Sequence, residues 1–211
     1  MSYIFFNIAL YIGIIPLLIL LLKKRIFDFK EPIAPFIWVT AFATFYEFFG
    51  SVIFKVNAAY WYQVYSSLEI ITLFYFFFKL YALKYKNLLW ILIISFIVIY
   101  GLSFFFWTDE SVFIPNAINK TALTFFVLTF SFLWFRKLFK KMEIPNPLEN
   151  SNFYFVSGLS IYYSSTFFLF LFAEFIFNSN VYFQDYWLIN ILATFILRTF
   201  LILGVWKMKS A

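Results

Sequence analysis

Glu47, Glu69, Lys120 and Arg198 are ionisable side chains set inside long apolar runs. Glu69 stands in the middle of YSSLEIITLFYFFFKL, residues 65–80, and Arg198 in INILATFILRTFLILGVWK near the end of the chain. An isolated charge at mid-bilayer costs from about 2.5 to well over 10 kcal/mol depending on the method, so such groups pair, face water or bind something. The chemistry open to them is ion pairing, proton or ion binding, and recognition of a small polar ligand. There is no histidine and no cysteine, which removes imidazole and thiolate metal ligands, a Ser-His triad and any phospho-accepting histidine in this chain. Neither HExxH nor a glycine-rich phosphate loop occurs, and nothing positions a nucleophile, so no catalytic residue, metal ligand or cofactor is expected.

Polar residues three, four or seven positions apart share a helix face and mark the side turned from lipid. Such edges run through Thr40, Thr44, Glu47 and Ser51; through Tyr62, Ser66 and Glu69, with Tyr65 beside them; through Asn116, Lys120, Thr124 and Ser131; and through Asn190, Thr194 and Arg198. Turned toward one another, these edges form a polar intramembrane network. At a rise of about 1.5 Å per residue, Glu69 and Arg198 fall near the midplane and are expected to pair. Glu47, Lys120 and Glu174 fall within roughly 10 Å of the outer surface, as a shallower cluster in which Glu174 reads as an interfacial charge. Ser157, Ser160 and Ser164 suit close helix packing better than binding.

Composition dictates the elements that carry these edges. Apolar residues make up 64% of the chain and charged residues 12%, against about 45–50% and 25% in soluble domains. The expected fold is all-α and polytopic, one transmembrane domain over residues 1–211. Seven spans are marked at about 3–22, 33–54, 59–80, 88–107, 116–138, 151–177 and 186–206, each near the roughly 20 residues that cross a bilayer. Pro16 predicts a kink or break in the first, which reads as an uncleaved helix. The first and fourth spans carry few polar residues and are expected at the periphery. KKMEIPNPLEN, 140–150, ends the fifth span and starts the sixth.

Lysine and arginine stay on the cytoplasmic side during insertion. Of the 16 basic residues, all but Lys55, Lys120 and Arg198 fall on one side of a seven-span arrangement, while the acidic loop 108–111 and Asp185 fall on the other. The N-terminus is therefore expected outside and the C-terminus inside. The +6 net charge fits insertion and anionic inner-leaflet lipid, not nucleic acid.

EFFG…NAAYWYQVYSSLEIITLFYFF, NFYFVSGLSIYYSSTFFLFLFAE and INILATFILRTFLILGVWK resemble recurring segments of a largely uncharacterised group of small bacterial multi-span inner-membrane proteins. Members of that group are often encoded near sensor histidine kinases, so the resemblance implies a sensing or signalling accessory with a membrane kinase as partner. No catalytic residues are established for the group, and none carry over. The expected function is an inner-membrane receptor or accessory subunit, not an enzyme, with an outward-facing polar pocket for a small ligand or proton. One alternative is a small-solute or proton-coupled transporter of 3+1+3 plan, suggested by the echo between TFYEFFG and LFAEFIF. A structural subunit of a membrane complex is the other.

Overall fold

A computed structural model describes residues 11–24, 31–54, 59–81, 84–107, 113–141, 146–179 and 183–208. Arg25, Lys30, Lys55, the acidic loop 108–111 and Lys209 lie outside the described residues, and only the backbone is described for Ser51, Lys141 and Asp185. The helices are α1 (Ile15–Leu22), α2 (Ala34–Tyr46), α3 (Ala59–Tyr81), α4 (Lys86–Ser103), α5 (Phe113–Lys141), α6 (Ser151–Leu171), α7 (Ala173–Asn178) and α8 (Phe183–Lys207), with no strand among the described residues. Five of them, α3, α4, α5, α6 and α8, are long and apolar enough to cross a membrane. The stretches expected as the first two spans are interrupted. The helix before Pro16 breaks in a turn at Gly13–Ile14, because proline offers no amide hydrogen to the preceding turn. After Tyr46, α2 continues as a π-helix over Glu47–Ile53.

Helix ends follow local chemistry. Asn150 caps α6 by accepting from the Asn152 amide, and Asn146 accepts from the Leu148 amide in the 3-10 turn Pro147–Glu149. The expected break between the fifth and sixth spans falls there. At the far end of the chain, Lys23 Nζ donates to the carbonyls of Trp206 (2.7 Å) and Met208 (2.6 Å), joining the end of α1 to the end of α8.

Neighbouring contacts run α1–α2, α2–α3, α3–α5, α5–α6, α6–α8 and α8–α1, so six helices close a ring. Helix α4 packs outside it against α3 and α5, as its few polar residues predict. Its anchor is a polar relay: Gln63 donates to Ser103 (2.8 Å), and Asn119 donates to the Gln63 side-chain oxygen (2.8 Å). Helix α1 is a member of the ring, not peripheral as its sequence suggested, because the turn at Gly13 brings its start close against α2 and α8.

The ring's interior divides into two halves. Toward the C-terminal ends of α3, α5 and α8 it is filled by Leu73, Phe76, Phe77, Phe126, Phe130, Phe155, Leu201 and Val205. Their rings meet edge-on or tilted, Phe77 with Phe126 at 5.9 Å and with Phe130 at 5.6 Å, Phe76 with Phe155 at 6.3 Å, the geometry that aromatic quadrupoles favour. The N-terminal halves of the same three helices hold the polar edges. Ile71, Trp90, Ile94, Ile97, Phe125, Phe132 and Phe168 stand exposed on the outside, a surface suited to acyl chains and not to water.

Candidate functional site

Glu69 on α3 lies with one carboxylate oxygen 2.5 Å from Lys120 Nζ on α5, while Tyr163 on α6 donates to the other at 2.7 Å. Both oxygens are thus occupied, and the pair is almost fully enclosed, Glu69 being 1% and Lys120 5% exposed. The ammonium also sits 5.0 Å from the ring centroid of Tyr65 and 5.5 Å from that of Phe170, where aromatic faces favour a cation. The expected partner of Glu69 was Arg198, and the structure corrects this to Lys120. Matching by depth did not give the pairing, because adjacency decides it: α3 packs against α5, and α8 packs against α6 and α1.

Arg198, 8% exposed, anchors a second set of contacts. Its Nη2 donates to Thr44 Oγ1 at 3.1 Å, and Thr44 in turn donates to the Thr40 carbonyl at 2.9 Å. Glu47, in the first turn of the π-helix, is within electrostatic reach of Arg198 and Tyr62. Glu47 therefore sits with Arg198, and Lys120 with Glu69, which crosses the two clusters expected from depth alone.

Gly13 closes this corner. A methyl group there would overlap Thr44 Oγ1 and lie 2.8 Å from Arg198 Cζ. Gly13→Ala is accordingly expected to lower stability by about 1–3 kcal/mol through overpacking. Adding Thr44→Ala removes the nearest clashing atom, so thermal melting of the double variant should recover part of that loss.

Between the two clusters lies a cavity of about 270 Å³. Seven of the expected site residues line it: Glu47, Tyr62, Asn116, Lys120, Asn190, Thr194 and Arg198. Glu69 and Thr44 stand behind the cations that they contact. Ser66 lies outside the lining and donates to the Tyr62 carbonyl at 2.9 Å. The lining spans Trp187 to Arg198 along α8, roughly 16 Å at the helical rise. Its rim includes Tyr62, 36% exposed, and along α8 its lining ends at Leu197 and Arg198, one turn before Leu201 of the phenylalanine-filled half.

Sequence reasoning placed Tyr65 beside a polar edge but missed the rest of the aromatic wall. Tyr65, Tyr162, Trp61, Trp187 and Phe170 all face the cavity. Trp61 stacks on Tyr46 at 4.3 Å, and Phe170 meets Trp187 edge-on at 6.1 Å. For Trp61 and Trp187 the available signal was their position on the polar faces of α3 and α8. Glu174 on α7 does not line this cavity and borders an apolar groove with Phe113, Phe125 and Leu171. Of the serine stripe on α6, Ser157 is buried but Ser164 is exposed, so the stripe as a whole does not form a packing face.

The arrangement can hold a small polar molecule and orient it. Asn116 and Asn190 line the cavity, and their side-chain oxygens are buried without a hydrogen-bond partner among the described residues, two acceptors that a bound ligand or water reached by a side-chain turn would satisfy. No group of metal-ligating side chains occurs among the described residues. Compared with known proteins, the chain matches no family model, no curated protein and no solved structure.

Proposed function

We propose that the chain is a seven-span protein of the bacterial inner membrane, N-terminus outside and C-terminus inside, that receives a small ligand or a proton in this pocket. The two further spans are the segment through α1 and the continuous run of α2 with its π-helical extension. The described basic residues Lys23, Lys24, Lys79, Lys84, Lys86, Arg136, Lys137, Lys140 and Lys207 belong to the helix ends away from the pocket, which supports an outward-facing mouth. Occupancy would bias two packings of α3, α5 and α8, and the basic end would carry the difference to a membrane partner such as a sensor kinase. The reading assigns no catalysis.

The observation that carries it is a polar cavity ending on an apolar plug. A site open at one end and sealed by packed phenylalanines suits reception better than passage. Transport is the second reading, favoured by the helix interruptions at Gly13–Ile14 and at Glu47, beside the pocket. Broken helices lining a midplane site are a feature of many transporters. Solute flux in liposomes holding this chain alone would decide for transport; co-purification with a kinase and no flux would decide for reception.

Because the chain has no cysteine, single cysteines test the pocket directly. Asn190→Cys and Thr194→Cys should react with a membrane-impermeant maleimide added outside intact cells, whereas Ile94→Cys on the outer face of α4 should not. Labelling only in inverted vesicles would overturn the orientation, and no labelling from either side would overturn the pocket.

A further inference from the structure

The charges around the cavity are matched. The described residues at or directly behind its surface supply two bases, Lys120 and Arg198, and two acids, Glu69 and Glu47. An occupant with net charge would leave an uncompensated charge in a low-dielectric interior, which is costly, so a net-neutral occupant is favoured.

The lining is also polarised along its length. Asn116 and Asn190 line it with amide oxygens that have no partner among the described residues, and such oxygens accept hydrogen bonds and cannot donate them. Asn116 is 8% exposed, so its oxygen is held away from bulk water. Asn116 precedes Lys120 by one helical turn, and Asn190 precedes Arg198 by about two turns, so the acceptors lie roughly 6 and 12 Å nearer the mouth than the cations. Donors on the occupant belong at the mouth, and an anionic group belongs at the floor. The volume falls just below the range of about 300–1,000 Å³ that holds drug-sized ligands, so the occupant is small. Trp61, Tyr62 and Trp187 form an aromatic wall for an apolar substituent.

Resting on the pocket reading above, we propose that the site takes a zwitterion of amino-acid size. A primary ammonium donates to the Asn116 and Asn190 oxygens. The carboxylate faces the Arg198 end, and an apolar side group lies against the tryptophans. A neutral sugar would supply donors but no anion for the floor. A simple amine or carboxylate would upset the charge balance.

Full-length protein in nanodiscs, followed by calorimetric titration, tests this with defined probes: glycine, leucine and phenylalanine; phenylalanine amide, a net cation; N-acetyl-phenylalanine, a net anion; N,N,N-trimethyl-phenylalanine, a zwitterion without N–H donors; and glucose. Saturable binding of leucine or phenylalanine is expected, with the amide, acetylated and trimethylated forms at least about tenfold weaker and glucose silent. Asn190→Ala should weaken phenylalanine several-fold yet leave the trimethylated form unchanged, a difference that mere loosening of the fold would not produce. Equal or tighter binding of the amide, the acetylated form, the trimethylated form or glucose overturns the zwitterion assignment. So does absence of binding by all three amino acids when the Asn190→Cys variant is labelled by maleimide from outside. If the Asn190→Cys and Thr194→Cys variants are both unreactive from either side, the pocket reading itself fails.

Discussion

Glu69→Gln lowers the stability of the folded protein by about 3–5 kcal/mol, measured by thermal or mixed-micelle unfolding, because it strands the Lys120 ammonium in an interior that gives it little water. The neighbouring Tyr65 and Phe170 rings offset only part of that loss, since cation–π contacts are worth about 2 kcal/mol when desolvated. Removing the base instead, with Lys120→Met, leaves the carboxylate with Tyr163 as its remaining donor and is expected to cost a similar amount. Replacing both groups together removes the buried charge, so Glu69→Gln/Lys120→Met should recover most of the stability, giving a strongly non-additive cycle. Tyr163→Phe, which deletes one hydrogen bond to a charged acceptor, should cost only about 1.5–3 kcal/mol. If Glu69→Gln costs no more than Tyr163→Phe, the pair is solvated and its burial has been misread.

Gly204→Ala is the second large effect. A methyl group at this position would overlap Phe155 Cε1 and lie 2.6 Å from its Cδ1. Phe155 is itself buried and packs edge-on against Phe76, so moving its ring disturbs a filled core. The helices must separate, and overpacking of this kind costs about 1–3 kcal/mol. The α6–α8 contact is the most extensive in the ring, and α8 carries Asn190, Thr194 and Arg198. Separation should therefore also raise the maleimide reactivity of the Thr194→Cys variant. Gly204→Ala with Phe155→Leu, which trims the obstructing ring, should regain part of the stability. An unchanged melting temperature for Gly204→Ala alone would mean that α6 and α8 leave room between them at this level.

Sequence reasoning reached the polar edges because helical periodicity is a property of one segment. The Asn116–Lys120 and Asn190–Thr194–Arg198 spacings place those residues on one face whatever the neighbours are, and all five line the cavity. Which edge faces which is set by packing between segments, and here the reading of Glu69 with Arg198 failed. The Gln63–Ser103–Asn119 relay was invisible for the same reason, since its residues stand on three different helices. The interruption near Pro16 was legible, because proline's missing donor acts locally. The change to π geometry at Glu47 was not, since EFFGSVI carries no proline and its Gly50 alone does not mark a widened turn. Close approaches at Gly13 and Gly204 could not be read either: a glycine announces room for a neighbour without naming the side chain that fills it.

The bond between Lys23 and the last carbonyls of α8 has a temporal side. Its two partners are separated by 183 and 185 residues, so this seam cannot shut until α8 has been made. Until then the nascent bundle is an open crescent, with Lys120 and Glu69 already able to meet but with no Arg198 and no back wall. The cavity wall is thus completed only when α8 arrives, and a chain that stops short of α8 lacks Asn190, Thr194 and Arg198 altogether.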